Sequence, residues 1–190
     1  GKDPTREAPF FFTKPADAAL DTPCTIGYPK LTENLHYEIE LIIAIGKGGD
    51  NIAEADVMDH VWGASVGIDL TRRDLQTEAK NMGRPWDWGK AFDQSAPIAP
   101  VVPIADVPSV EAGRIWLAVN GETKQDADLS DLIWSVREHI SILSKSMTLA
   151  PGDIIMTGTP AGVGAIVAGD VVTGGVDGLG ELEVTIGPRA

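Results

Sequence analysis

Glu38 and Glu40 stand two residues apart in the apolar run LHYEIELIIAIGK, Leu35 to Lys47. Side chains alternate across a strand, so the two carboxylates share one face with His36, while Tyr37, Ile39 and Leu41 take the other. Like charges one pleat apart repel, and a divalent cation between them would cancel that repulsion. All-oxygen donors suit Mg²⁺, Mn²⁺ or Ca²⁺. Such a cage calls for a third acid, and Asp69 of VGIDLTRRD, at the end of a short apolar strand, supplies a candidate. A Glu-x-Glu pair also suits the solvated face of an edge strand. His36 is open to two readings as well: a ligand that would tilt the site toward zinc or iron, or a hydrogen-bonded wall of the site.

Three other stretches carry possible chemistry. GASVG, Gly63 to Gly67, fits the G-x-S-x-G pattern of a nucleophile elbow, with Ser65 as nucleophile and His139 downstream as its base. That elbow needs a strand before the serine and a helix after it, whereas a helical pattern precedes Ser65 and a strand-like run follows. TGTPAGVG, Thr157 to Gly164, lacks the Gly-Lys-Ser/Thr ending of a phosphate loop and reads as a tight site-forming turn. PWDWGKAFDQSAP, Pro85 to Pro97, sets Trp86, Trp88 and Phe92 around Lys90, which suits either a core anchor with a surface lysine or an anion pocket.

The elements that must position these groups are short. Strand-like runs fall at Phe10–Thr13, His36–Ile45, Val66–Leu70, Ile98–Val102, Ile115–Val119, Ile154–Thr157, Asp170–Thr173 and Glu181–Ile186. Asn120-Gly121 is a hairpin signal, and ELEVTI alternates apolar with polar residues, so antiparallel sheet is expected. Helical spacing predicts one helix from a Ser130 N-cap to about Ser146, a second over Ala53 to Trp62 and a third, mostly polar, over Thr71 to Met82. The sum is a β-rich α+β fold with helices flanking sheet. The 13 prolines and 21 glycines are scattered along the 190 residues, so one domain, 1–190, is expected.

Composition narrows the function classes. The net charge of −13 opposes binding to nucleic acid or anionic lipid, and no apolar run approaches the length of a membrane helix. The lone Cys24 can form no intrachain disulfide, which fits a reducing, cytoplasmic compartment. The same acidity would repel an anionic substrate, so such a substrate would need a metal or inward-pointing cations.

FFTKPADAAL, HYEIEL, GIDLTRRDLQ, WDWGKAFDQSAP and GDIIMTGTPAGVG resemble, in this order, the fumarylacetoacetate hydrolase family, and within it the small bacterial fumarylpyruvate hydrolase or acylpyruvase branch. The likeness spans almost the whole chain. It implies a mixed β-sandwich roll, a cytoplasmic homodimer and one Mg²⁺ or Mn²⁺ per subunit on Glu38, Glu40 and Asp69. It also implies substrate contacts from Arg73, Gln76, Lys90 and Thr159, with Lys90 as the active-site cation and Lys14 nearby; His36 matches no ligand of the family pattern. The family's water-activating His and Glu pair sits on an N-terminal lid, expected upstream of Gly1.

The resemblance further implies the reaction: hydrolysis of a carbon–carbon bond in a 2,4-dioxo acid, with fumarylpyruvate giving fumarate and pyruvate in gentisate-type aromatic catabolism. The substrate would chelate the metal through its carboxylate and 2-oxo group, and pyruvate enolate would leave with its charge on a metal-bound oxygen. Oxaloacetate decarboxylation would use the same chelate, and isomerase activity on related diketo acids is a third option. A serine hydrolase built on Ser65 and a non-catalytic keto-acid-binding protein are the alternatives of other classes.

Overall fold

The computed structural model describes residues 7–189. Its centre is the strand Ile39–Ile45, whose seven residues are all buried. Burial on both faces follows from an apolar run that Glu40 alone interrupts: the strand pairs antiparallel with Val61–Ile68 on one side and Ile154–Met156 on the other. Ala96–Ile98, Ala19–Asp21 and Val102–Pro103 complete a six-stranded sheet.

A second sheet runs in the order Glu122–Asp128, Arg114–Val119, Val171–Val176, Gly180–Arg189, Cys24–Tyr28. Two parallel pairs, Ala19–Asp21 with Ala96–Ile98 and Cys24–Tyr28 with Gly180–Arg189, make the architecture mixed. A small third sheet joins Gly164–Ile166, Leu35–Tyr37 and Thr71–Arg72. Ile39, Leu41, Ile43 and Ile45 form one core with Ile115, Leu117, Val172, Val184 and Ile186. Gly174 lets the large sheets meet closely, because a Cβ there would lie 2.7 Å from Ile39 Cδ1 and 2.9 Å from the Trp116 carbonyl. The result is the expected β-rich sandwich roll.

The expected alternation holds: Tyr37, Ile39 and Leu41 point into this core, leaving the other face of the strand to Glu38 and Glu40. Several boundaries differ from the sequence reading. Phe10–Thr13 belongs to no strand; its three phenylalanines are exposed, and Phe10 packs edge-on against Trp86. The run Ala53 to Trp62 is a 3₁₀ turn, Glu54–Asp59, followed by the start of the strand Val61–Ile68. There, cross-strand pairing of Val61 with Ile45 outweighs helical spacing. The helix expected from Ser130 begins later, as Val136–Ser144. Ser135 and Glu138 close a reciprocal capping box, while Leu129–Asp131 forms a separate 3₁₀ turn capped by Asp128. The polar helix is Arg73–Asn81. Among the described residues, no helix is long and apolar enough to cross a membrane.

A short helix that periodicity does not announce, Asp87–Lys90, packs against Arg73–Asn81. Gly89 permits the approach: a Cβ at this position would lie 2.9 Å from Gln76 Cβ and 3.0 Å from Gln76 Cα. Backbone atoms cannot move aside cheaply. Gly89→Ala is therefore expected to lower stability by about 1–3 kcal/mol through overpacking, read as a lower midpoint in denaturant. An unchanged midpoint would contradict this packing.

Candidate metal centre

Antiparallel pairing brings the acids together. Ile39 sits opposite Ile68 and Glu40 opposite Gly67, and beyond the last pair the Asp69 N–H donates to the Glu38 carbonyl at 2.8 Å. Carboxylate oxygens of Glu38, Glu40 and Asp69 lie within 4.8 Å of one another, and all three residues are buried. The solvated-edge reading of the Glu-x-Glu pair is thus excluded.

Among the described residues, three cations surround the acids. Lys90, 1% exposed, donates to Glu38 Oε2 at 2.8 Å, to Thr71 Oγ1 at 2.7 Å and to Asp69 Oδ2. Lys14 Nζ lies 2.8 Å from Asp69 Oδ1 and donates to the carbonyls of Lys90 and Leu70. Burial pulls the Lys14 ammonium below its usual range, and Asp69 works against that shift. Arg73 pairs with Glu38 Oε1 and donates to Gln76 Oε1 at 2.5 Å. The Phe12 ring lies 4.9 Å from Lys90 Nζ, a cation–π contact that closes this side of the site.

His36 is a wall of the site. Its Nε2 faces the Asn34 side-chain oxygen at 3.0 Å, which assigns the proton there, and its Nδ1 accepts from Arg73 Nε at 3.3 Å. Burial, and then the Arg73 charge, push the imidazole down to about 4, so it is neutral.

Glu40 differs from its neighbours. It has no ion pair among the described residues, and its recorded partner is the Gly158 N–H, 2.6 Å from Oε2. Burial first, then the charge of Asp69, push its carboxyl up to about 8. In Asp69, Oδ1 is buried and accepts no hydrogen bond of good geometry, although Lys14 is near. A buried acid without a counter-cation and an all-oxygen donor set of three converging carboxylates are what a hard divalent cation would satisfy. These residues fit one.

The loop after Ile154–Met156 runs beside the Glu40 strand. Thr157 donates through N–H and hydroxyl to the Leu41 carbonyl, and Gly158 reaches Glu40. The hydroxyl of Thr159 accepts from Gln125 Nε2 at 2.8 Å. Lys90 and Arg73 therefore join the acids through direct contacts, Gln76 reaches them only through Arg73, and Thr159 lies one residue beyond the Glu40 contact. Sequence reasoning missed Thr71, Gln125 and the Gly158 N–H. Thr71 had a faint signal, standing two residues after Asp69, whereas Gln125 had none.

Ser65 is no nucleophile. It lies buried inside the strand Val61–Ile68, and its hydroxyl donates to the Ala99 carbonyl at 2.7 Å. His139, on the helix Val136–Ser144, instead meets the Phe11 ring edge-on.

Comparison with known proteins agrees with this geometry. The profile of the family described as fumarylacetoacetate (FAA) hydrolase C-terminal matches residues 1–187. A Ralstonia fumarylpyruvate hydrolase is 46% identical over 98% of this chain and 96% of its own. The crystal structure of a Pseudomonas aeruginosa fumarylpyruvate hydrolase in complex with Mn²⁺ and pyruvate superposes with a TM-score of 0.95 at 50% identity, covering 100% of this chain and 83% of that one. A human mitochondrial oxaloacetate tautomerase is 41% identical over 90% of this chain and 77% of its own. The chain belongs to the fumarylacetoacetate hydrolase family.

Glu40→Gln separates the cost of burying an unpaired acid from its use as a ligand. The apo variant is expected to be at least as stable as the parent, while the rise in melting temperature on adding Mn²⁺ is largely lost. Calorimetry with and without Mn²⁺ reads both, and an undiminished Mn²⁺ response would remove Glu40 from the centre.

Proposed function

We propose that this member of the fumarylacetoacetate hydrolase family is a divalent-metal-dependent hydrolase of acylpyruvates, with fumarylpyruvate as substrate and fumarate and pyruvate as products. The single observation that carries the reading is the buried Glu38–Glu40–Asp69 cluster, with Glu40 in no ion pair among the described residues, beside Lys14, Lys90 and Arg73. A Mg²⁺ or Mn²⁺ ion held by these three carboxylates would supply Lewis acidity to the substrate's carboxylate and 2-oxo group.

The chain's own residues do the rest. Arg73 and Gln76, already joined to each other, hold the dioxo segment in one orientation. The Thr159 hydroxyl binds the substrate carboxylate. Lys90 stabilises the negative charge that develops on the distal carbonyl oxygen when water adds there. The carbon–carbon bond then breaks, the acyl half departs as a carboxylic acid, and the electron pair of the broken bond becomes the pyruvate enolate, which takes up a proton on carbon. On the family resemblance, the base that deprotonates the water belongs to a lid outside the described residues. The family pattern also supports a single catalytic domain working as a cytoplasmic homodimer in gentisate-type degradation.

Oxaloacetate is a second candidate substrate, favoured by the likeness to the human tautomerase. It shares the 2-oxo acid head, so the same cations would bind it, and enolisation or decarboxylation would stabilise the same kind of enolate.

Turnover of fumarylpyruvate by the full-length protein is expected to cease in excess EDTA and return with Mg²⁺ or Mn²⁺. Lys90→Met is expected to lower kcat by about a hundredfold or more, in line with the loss of one oxyanion donor. Fumarate and CO₂ are followed in parallel with fumarylpyruvate and oxaloacetate. Activity that survives chelation would overturn the metal reading, and CO₂ release from oxaloacetate without fumarate from fumarylpyruvate would move the substrate.

A further inference from the structure

Gln125 is fully buried in a strand whose neighbours Glu122, Thr123, Lys124 and Asp126 are all exposed. The register between Glu122–Asp128 and Arg114–Val119 slips between Thr123 and Gln125, so Lys124 is the extra residue of a bulge. Bulges re-aim side chains, and this one turns Gln125 inward. The site loop rests directly on the bulge: Gly162, at φ +101°, approaches so closely that a Cβ would lie 2.2 Å from the Lys124 carbonyl oxygen. Tyr37 holds the same end of the loop, its hydroxyl donating to the Gly162 carbonyl at 3.1 Å.

The orientation of the Gln125 amide is dictated by its partners. The Ile39 N–H, which lies between Glu38 and Glu40, can only donate, so it faces Oε1, at 3.1 Å. The Pro160 carbonyl can only accept, so it faces Nε2, at 2.8 Å. The second Nε2 hydrogen goes to Thr159 Oγ1, also at 2.8 Å. With one Oγ1 lone pair filled from behind, the Thr159 hydroxyl proton is left to point at another acceptor. Thr159 is only half-buried, and a carboxylate is a pure acceptor.

We propose that Gln125 is a positioning residue that fixes Thr159 as a hydrogen-bond donor toward the carboxylate of a bound 2-oxo acid. The inference rests on the reading of Thr159 as the carboxylate contact. Gln125 also ties that contact to the backbone between two of the acids, so substrate anchor and acid cluster keep one spacing. A glutamate at this position could still accept from Ile39, but it would offer no proton to Thr159. The threonine hydroxyl would turn to donate backward, and the ligand would lose its donor.

The test is a double-mutant cycle on the full-length, Mn²⁺-loaded protein, with pyruvate as the probe and its Kd measured by calorimetry. Gln125→Glu and Thr159→Val are each expected to weaken pyruvate binding about tenfold or more, as for a hydrogen bond to a charged group. The double variant is expected to be no weaker than the worse single variant, with Mn²⁺ affinity kept in all three. A structural role exercised anywhere but through Thr159 would not produce that lack of additivity, and a displaced loop would also loosen Mn²⁺ through the Gly158–Glu40 contact. If the two effects multiply, the Gln125 proposal is overturned while the Thr159 reading stands. If Thr159→Val binds pyruvate like the parent, the Thr159 reading fails and takes the proposal with it. Should Gln125→Glu not fold, Gln125→Met, which also lacks the donor, completes the same cycle.

Discussion

Three carboxylates taken out of water within a few ångströms of each other are the constraint around which this molecule is arranged. Uncompensated, such a cluster would cost several kcal/mol per charge, more than a domain of this size can lose. The compensation is unequal. Asp69 and Glu38 are met by Lys14, Lys90 and Arg73, while among the described residues Glu40 receives a single backbone N–H. Glu40 alone is left without a counter-cation among the described residues, and a divalent ion bound by the three side chains would supply one.

The fold can be understood as the apparatus that holds this imbalance in place. One face of Ile39–Ile45 is locked into the core between the sheets, so its register cannot slip without driving Glu38 and Glu40 into the hydrophobic interior. The adjacent pairing with Val61–Ile68 delivers Asp69, and the Arg73–Asn81 and Asp87–Lys90 helices deliver Arg73, Gln76 and Lys90. The Thr157–Gly164 loop is tied at Leu41, at Glu40 and, through Gln125, at Ile39. Strand, loop and helices are therefore cross-linked around the acids, as a preorganised site requires. The chain is acidic overall, yet Lys14, Lys90 and Arg73 converge on this one site, which concentrates positive charge there.

Much of the site was legible in the sequence, and for a physical reason. A Glu-x-Glu pair inside an apolar strand violates the strand's own pattern, and such a violation marks function. Asp69 was legible as an acid at a strand end, and Lys90 as a cation among aromatics. What stayed hidden depends on contacts between residues far apart in the chain. Gln125 is one polar residue in a polar strand until the bulge turns it inward. The helical spacing of Ala53 to Trp62 gave way to pairing with Ile45, and Phe10–Thr13, apolar enough for a strand, packs its rings against Trp86 and Lys90 instead. Ser65 fitted a motif whose strand–turn–helix setting is absent around it, and it serves as a buried hydrogen-bond donor.

The central claim is that Glu38, Glu40 and Asp69 ligate one divalent ion. Anomalous diffraction from crystals grown with Mn²⁺ tests it most directly. The expected result is one strong peak per chain, coordinated by an oxygen from each of the three side chains. A peak bound elsewhere, or Lys90 still bridging Glu38 and Asp69 with no peak at saturating Mn²⁺, would contradict it.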